Sequence, residues 1–196
     1  ALRESVGESF GTPKQLACPH CVVSLIGIVM VKGNESMSSP FVQSETLRPG
    51  YAISRVINGG WQLAGGHGAV DRHRAIADFE KFLFSGINTF DCADIYTGVE
   101  SMLGDFVGNV RNRYGTEISE SIKIHTKLVP DLQMLKSCDG SYIEKIIDRS
   151  LRRLKIDQLH LVQFFWWDLS VGTPIETMMS LKRLQEKGKI RYLGVT

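Results

Sequence analysis

The chain has 196 residues, enough for one domain of ordinary size with a sizeable core and too few for two large ones. Its formal net charge is +2, with 22% charged residues of both signs interspersed, so nothing singles out nucleic acid or an anionic membrane as a partner. Four cysteines in this length argue for a reducing compartment, with the cytoplasm as default, over a disulfide scaffold.

Residues 1–50 read as an extension outside the domain, loosely ordered at best: Gly, Ser and Pro are scattered through them and no helical stripe persists. Cys18 and Cys21 form a CxxC pair, but no helix pattern follows as a thioredoxin-like redox site requires. Zinc is less favoured still, because no second cysteine or histidine pair completes a tetrahedral set. The apolar run from Cys21 to Val31 is about half the length needed to cross a bilayer and lacks a signal-peptide cleavage site. The change of texture at Met37, before Ser38-Ser39-Pro40, resembles a natural start.

From about Arg55 onward, short apolar runs alternate with amphipathic helical patterns. Strands are expected at 55–58, 87–90, 122–126, 158–164 and 190–195, at the spacing of βαβ units, which implies a parallel sheet. Asp71 can cap a helix whose apolar face is Ala75, Ile76, Phe79, Phe82 and Leu83, with Gly86 ending it. A second stripe runs from Ile143 to Leu154, with Arg149, Arg152, Arg153 and Lys155 outside it. Thr173-Pro174 opens a third helix that Gly188 closes.

In parallel βα architectures, ligands bind where the C-terminal ends of the strands meet the following loops. Asp91, Tyr96, Lys127 and Phe165 fall at or just past such ends. A Tyr is a poor acid at neutral pH, and a nearby ammonium lowers its pKa. A deep Lys in turn needs a carboxylate partner. Asp91 can thus hold Lys127 and Lys127 can tune Tyr96, which would protonate a carbonyl oxygen as a hydride reaches the carbon. Spacing alone leaves another reading open: Asp91 caps a turn, Tyr96 packs and Lys127 is a solvated strand-end lysine.

The run Phe90-Asp-Cys-Ala-Asp-Ile-Tyr-Thr-Gly-Val-Glu-Ser-Met-Leu-Gly104 resembles the aldo-keto reductase signature. His125-Thr126-Lys127 is similar to that family's strand ending in Thr-Lys, Ser150–Asp157 leading into Leu161-Val-Gln163 to its helix before the fourth strand, and Gly188–Thr196 to its fifth strand. The resemblance covers residues 52–196 in order and implies an α/β fold of the (β/α)8 TIM-barrel type, truncated after about five strands. Residues 51–196 are then a partial barrel of an oxidoreductase that uses NADPH, without metal, to reduce small aldehydes or ketones. The family's catalytic residues carry over onto Asp91, Tyr96 and Lys127. Cofactor contacts carry over onto Gly60, Trp61, Asp91 and Thr196, and a substrate pocket onto Trp61, Phe165 and Trp166.

Two departures favour an alternative, a catalytically impaired or inactive relative serving as a scaffold or without function. The family's further catalytic residue is a His on the fourth strand, where this chain has Phe165, and a phenyl ring donates no hydrogen bond. Losing one such donor typically costs on the order of a hundredfold to a thousandfold in rate. The sequence also stops at Thr196, before the strands and the basic loop that complete the cofactor site in that family. His67, in a glycine-rich loop after the first strand, is a candidate for the missing hydrogen bond. His73, His125 and His160 have no spaced partners that would make a metal site. Trp166-Trp167 either closes the barrel end or walls an apolar substrate.

Overall fold

The computed structural model describes residues 21–23, 28–31 and 42–196. In chain order these form β1 (Cys21–Val23), β2 (Ile28–Val31), β3 (Ser44–Arg48), β4 (Tyr51–Ser54), β5 (Val56–Gly59), α1 (Arg72–Phe84), β6 (Thr89–Asp91), α2 (Val99–Tyr114), α3 (Thr116–Ser121), β7 (Lys123–Leu128), α4 (Gly140–Leu154), β8 (Leu159–Phe164), α5 (Pro174–Glu186) and β9 (Ile190–Val195). One sheet runs β1-β2-β5-β6-β7-β8-β9. Its members from β5 to β9 are parallel neighbours, each the next strand in sequence, as the βαβ spacing requires.

The expected punctuation works as caps. The Asp71 side chain accepts a hydrogen bond from the Arg74 N–H at the start of α1, and Asp139 does the same for Tyr142 at the start of α4. Pro174 occupies the first turn of α5, where its missing N–H costs nothing.

Two short segments before residue 50 join the sheet. Strand β2 pairs antiparallel with β5, and β1 with β2. The β3–β4 hairpin straddles residue 50. It is anchored to the sheet by reciprocal bonds, Ser54 N–H to Thr89 Oγ1 at 3.0 Å and Thr89 N–H to Ser54 Oγ at 3.2 Å. Tyr51, buried, closes this end, with its hydroxyl 2.9 Å from His125 Nε2. Cys18 and Met37 lie outside the described residues.

Two helices, α2 and α3, have no counterpart among the sequence expectations. Helix α2 starts at Gly98 without a side-chain cap and carries Gly104 and Gly108 internally, which breaks the usual signal. Gly104 is there for contact: a Cβ on it would lie 2.9 Å from the Leu154 carbonyl carbon and closer still to the Arg153 carbonyl oxygen, so α2 and α4 cross backbone against backbone. Between sheet and helices, Phe79, Phe90 and Phe106 pack as tilted or edge-to-face rings 5.1–5.6 Å apart. Burial of each ring contributes roughly 1.5–3 kcal/mol. Alternate positions, Asp91, Lys127 and Gln163, turn to the other face of the sheet, and that alternation builds the site.

Candidate functional site

Strands β6, β7 and β8 deliver three polar side chains to one point. Lys127 Nζ donates to Asp91 Oδ2 at 2.5 Å and to the Cys92 carbonyl at 2.9 Å, and Gln163 Nε2 donates to Asp91 Oδ1 at 3.0 Å. Both oxygens of Asp91 are therefore occupied, and the ammonium has a carboxylate partner inside the site. Gln163 sits opposite Lys127 in the β7–β8 register, so the same pleat that aims the lysine aims the amide.

Lys127 Nζ also lies 5.3 Å from the centroid of the Tyr96 ring. The Tyr96 hydroxyl makes no hydrogen bond among the described residues, which leaves it open to a ligand. Sequence reasoning expects Lys127 to lower the Tyr96 pKa; the structure places it above its ordinary value. Burial is the largest cause, followed by the negative charge of Asp91 and the neighbouring Cys92. The reason is geometric: the Lys127 charge faces Asp91 and the Cys92 carbonyl and is neutralised there.

Trp61 forms one wall. It is 51% exposed and packs edge-on against Tyr96 at 5.1 Å and against His67 at 5.6 Å. Gly60 precedes it for a packing reason: its N–H donates to the Asp91 carbonyl at 2.8 Å, and a Cβ would come within 2.7 Å of Val99. Thr196 is tied to β8 by its N–H, 3.1 Å from the Phe164 carbonyl.

Beyond β8 the aromatic side chains diverge. Phe165 is held by its N–H to the Leu128 carbonyl and packs edge-on against Trp167 at 4.9 Å. Trp166 points the other way, into the core, 9% exposed, with its indole N–H on the Val171 carbonyl. Trp167, 47% exposed and anchored by its indole N–H to the Pro130 carbonyl, accompanies Phe165.

The sequence reading missed the support beneath Tyr96. Arg149 and Arg153, though half-exposed, reach inward to buried acids: Arg149 pairs with Asp94 at 3.1 Å and Arg153 with Glu100 at 3.2 Å. Each carboxylate side chain is 1% exposed. Arg153 also reaches the Asp94 carbonyl, Thr126 Oγ1 donates to Glu100, and the Val129 N–H donates to Asp94. Burial pushes the Asp94 carboxyl up to about 6 against the opposing Val129 bond, with Glu100 adding to the rise. The available signal was two acids flanking Tyr96 and two arginines one helical turn apart on α4. Among the described residues, no group of three or more His, Cys, Asp or Glu is placed to hold a metal, and no helix is long and apolar enough to cross a membrane.

Residues 55–196 match the model of the aldo/keto reductase family. The chain is 31% identical over 152 residues to the aldo-keto reductase YhdN of Bacillus subtilis, covering 75% of this chain and 44% of that protein. It is 32% identical over 161 residues to the 6-dehydroglucose reductase of Novosphingobium aromaticivorans, covering 75% and 48%. The chain thus spans just under half the length of these relatives. An aldo-keto reductase of the silkworm Bombyx mori superposes with a TM-score of 0.65 at 22% identity, covering 80% of this chain and 48% of that one. A silkworm aldo-keto reductase in complex with NADP gives 0.63 at 16% identity, covering 80% and 51%. These two likenesses show the fold, a TIM-type α/β barrel carried here through five parallel strands.

Proposed function

Because the chain belongs to the aldo/keto reductase family, we propose that it carries the catalytic half of an NADPH-dependent reductase of small aldehydes or ketones. The single observation behind this reading is Lys127, bonded to Asp91 and the Cys92 carbonyl while facing the Tyr96 ring at 5.3 Å. In that role Tyr96 is the proton donor, Lys127 fixes the potential around its ring, and Asp91 with Gln163 holds Lys127 in place. Raised above its ordinary pKa, Tyr96 keeps its proton throughout the neutral range, as an acid must before transfer.

The residues present fit the reactive end of a nicotinamide cofactor. Trp61 offers an exposed aromatic face beside Tyr96, with Asp91 at the end of β6 and Thr196 just past β9, at the same end of the parallel sheet. Gly60, Trp61, Asp91 and Thr196 would hold it, with Gly60 keeping the turn close to β6. NADPH, when bound, supplies the hydride. The substrate would rest against Trp61, Phe165 and Trp167, whose apolar surfaces exclude water from the carbonyl.

A second reading is favoured by Phe165. The edge-on Phe165–Trp167 pair puts hydrocarbon where a further hydrogen-bond donor would be useful, so cofactor binding without efficient turnover follows from the same geometry. Fluorescence titration with NADPH followed by turnover of a generic aldehyde separates the two. Binding with turnover supports the reductase, binding without turnover supports the second reading, and no binding in the complete protein contradicts both.

A further inference from the structure

The opposite end of the sheet carries a second group of polar side chains that the reductase reading does not use. A cleft of about 480 Å³ opens where β7, β8 and β9 begin, and Arg111, Lys123, His160 and Arg191 line it, with Glu120 and Asp157. Lys123 and Lys127 are four residues apart on β7, so the cleft lies roughly 13 Å below the Asp91–Lys127 pair.

The charges are unbalanced. Arg111, Lys123 and Arg191 have no carboxylate partner within ion-pair distance among the described residues. Lys123, half-buried, donates only to the backbone carbonyl of Glu120, leaving two N–H groups available. The Arg191 guanidinium is held in place by the Gly50 carbonyl and by the rings of Tyr51 and Tyr192, 5.7 and 5.3 Å from its central carbon. Lys155 at the margin is already paired with Asp105.

His160 adds a directed donor. Its Nδ1 accepts the Ile124 N–H at 3.1 Å, so in the neutral ring the proton resides on Nε2. Burial first, then Lys123 and Arg191, pushes its pKa down to about 4, so the ring is neutral at physiological pH and the Nε2–H stays a donor. Lys123 is itself lowered, by burial and then by Arg191, with the nearby Glu120 opposing the fall only in part.

We propose that this cleft binds a small tetrahedral oxyanion, inorganic phosphate or a phosphate monoester, between Lys123, Arg191 and the Nε2–H of His160. Two cations, from β7 and β9 on either side of the β8 histidine, and one fixed neutral donor match an anion with several acceptor oxygens, and the guanidinium suits two of them at once. The site is independent of the reductase reading.

The test is an NMR titration of the protein at low ionic strength with inorganic phosphate and, separately, glycerol phosphate. The expected result is saturable shifts confined to the amides around Lys123, His160 and Arg191. Affinity should fall about tenfold or more in Lys123→Gln and Arg191→Gln, each removing a charged hydrogen bond. Exposed Glu120→Gln, which leaves the Lys123–Glu120 backbone bond in place, should tighten binding by about twofold as a competing charge is lost. Lys136→Gln, at a distant exposed lysine, should change nothing. Saturation with both ligands assigns an open cleft for monoesters, and with phosphate alone a site for the free ion. Shifts that do not saturate, that scatter over surface lysines, or that ignore all three cleft variants overturn the proposal.

Discussion

Lys127 faces the Tyr96 ring at 5.3 Å while its ammonium is bonded to Asp91, so the charge that would acidify the phenol is largely neutralised by its own partner. The Tyr96 pKa consequently lies above its ordinary value, with burial and Asp91 as the leading causes. Asp91→Asn removes that negative charge and leaves the lysine in place. Ultraviolet difference titration of Tyr96, assigned by subtraction of Tyr96→Phe, should show the phenol becoming more acidic in Asp91→Asn. An unchanged or higher value would contradict the arrangement.

Lys127→Met tests the pair from the other side. It strands a carboxylate that is only 25% exposed, with Gln163 as its remaining donor. Partial solvation reduces the penalty, so a loss of about 1–3 kcal/mol is expected in urea denaturation. A variant as stable as the parent would show that the pair is not a strained necessity of the fold.

Gly104→Ala should destabilise by about 1–3 kcal/mol or more, since the methyl group runs into the α4 backbone and α2 must move away. Gly108→Ala, on the same helix with open space around it, should be neutral or stabilising. Equal urea midpoints for the two variants would refute the backbone crossing.

The acid dependence of stability has two opposing sources. His125, buried against Tyr51, is pushed from 6.5 down to about 4 by burial, His160 and Lys127, and His160 is lowered similarly. Such imidazoles stay neutral in the native state while the unfolded chain takes up protons. Their contribution is therefore full above about 6.5 and lost as the pH falls towards 4. Asp94 works the other way. Raised from 3.8 to about 6 amid Glu100, Arg149 and Arg153, it favours the native state at low pH and loses that contribution as the pH rises through 6. Urea midpoints measured from pH 7 to pH 4 should fall. The fall should be shallower in His125→Gln and steeper in Asp94→Asn; the reverse order would contradict both assignments.

Much of this architecture was legible in the chain. The βαβ spacing located all five parallel strands, and Asp71 and Pro174 marked helix starts that the structure uses as caps or first turns. The trio of Asp91, Tyr96 and Lys127 was readable because each stands at a strand end. What escaped depended on partners distant in sequence. Helix α2 was hidden by glycines whose purpose is the α4 contact, and the roles of Arg149 and Arg153 appear only when α4 lies over the Tyr96 loop. Trp166 and Trp167 were indistinguishable until the fold buried one in the core and left the other exposed.

The most direct test of the central claim is the steady-state oxidation of NADPH with a generic aldehyde by the complete protein, compared with its Tyr96→Phe variant. The account predicts that kcat falls by on the order of a hundredfold or more while NADPH affinity stays within about twofold, since the phenol acts in proton transfer and not in cofactor binding. A Tyr96→Phe protein that reduces the aldehyde at the parental rate would contradict it.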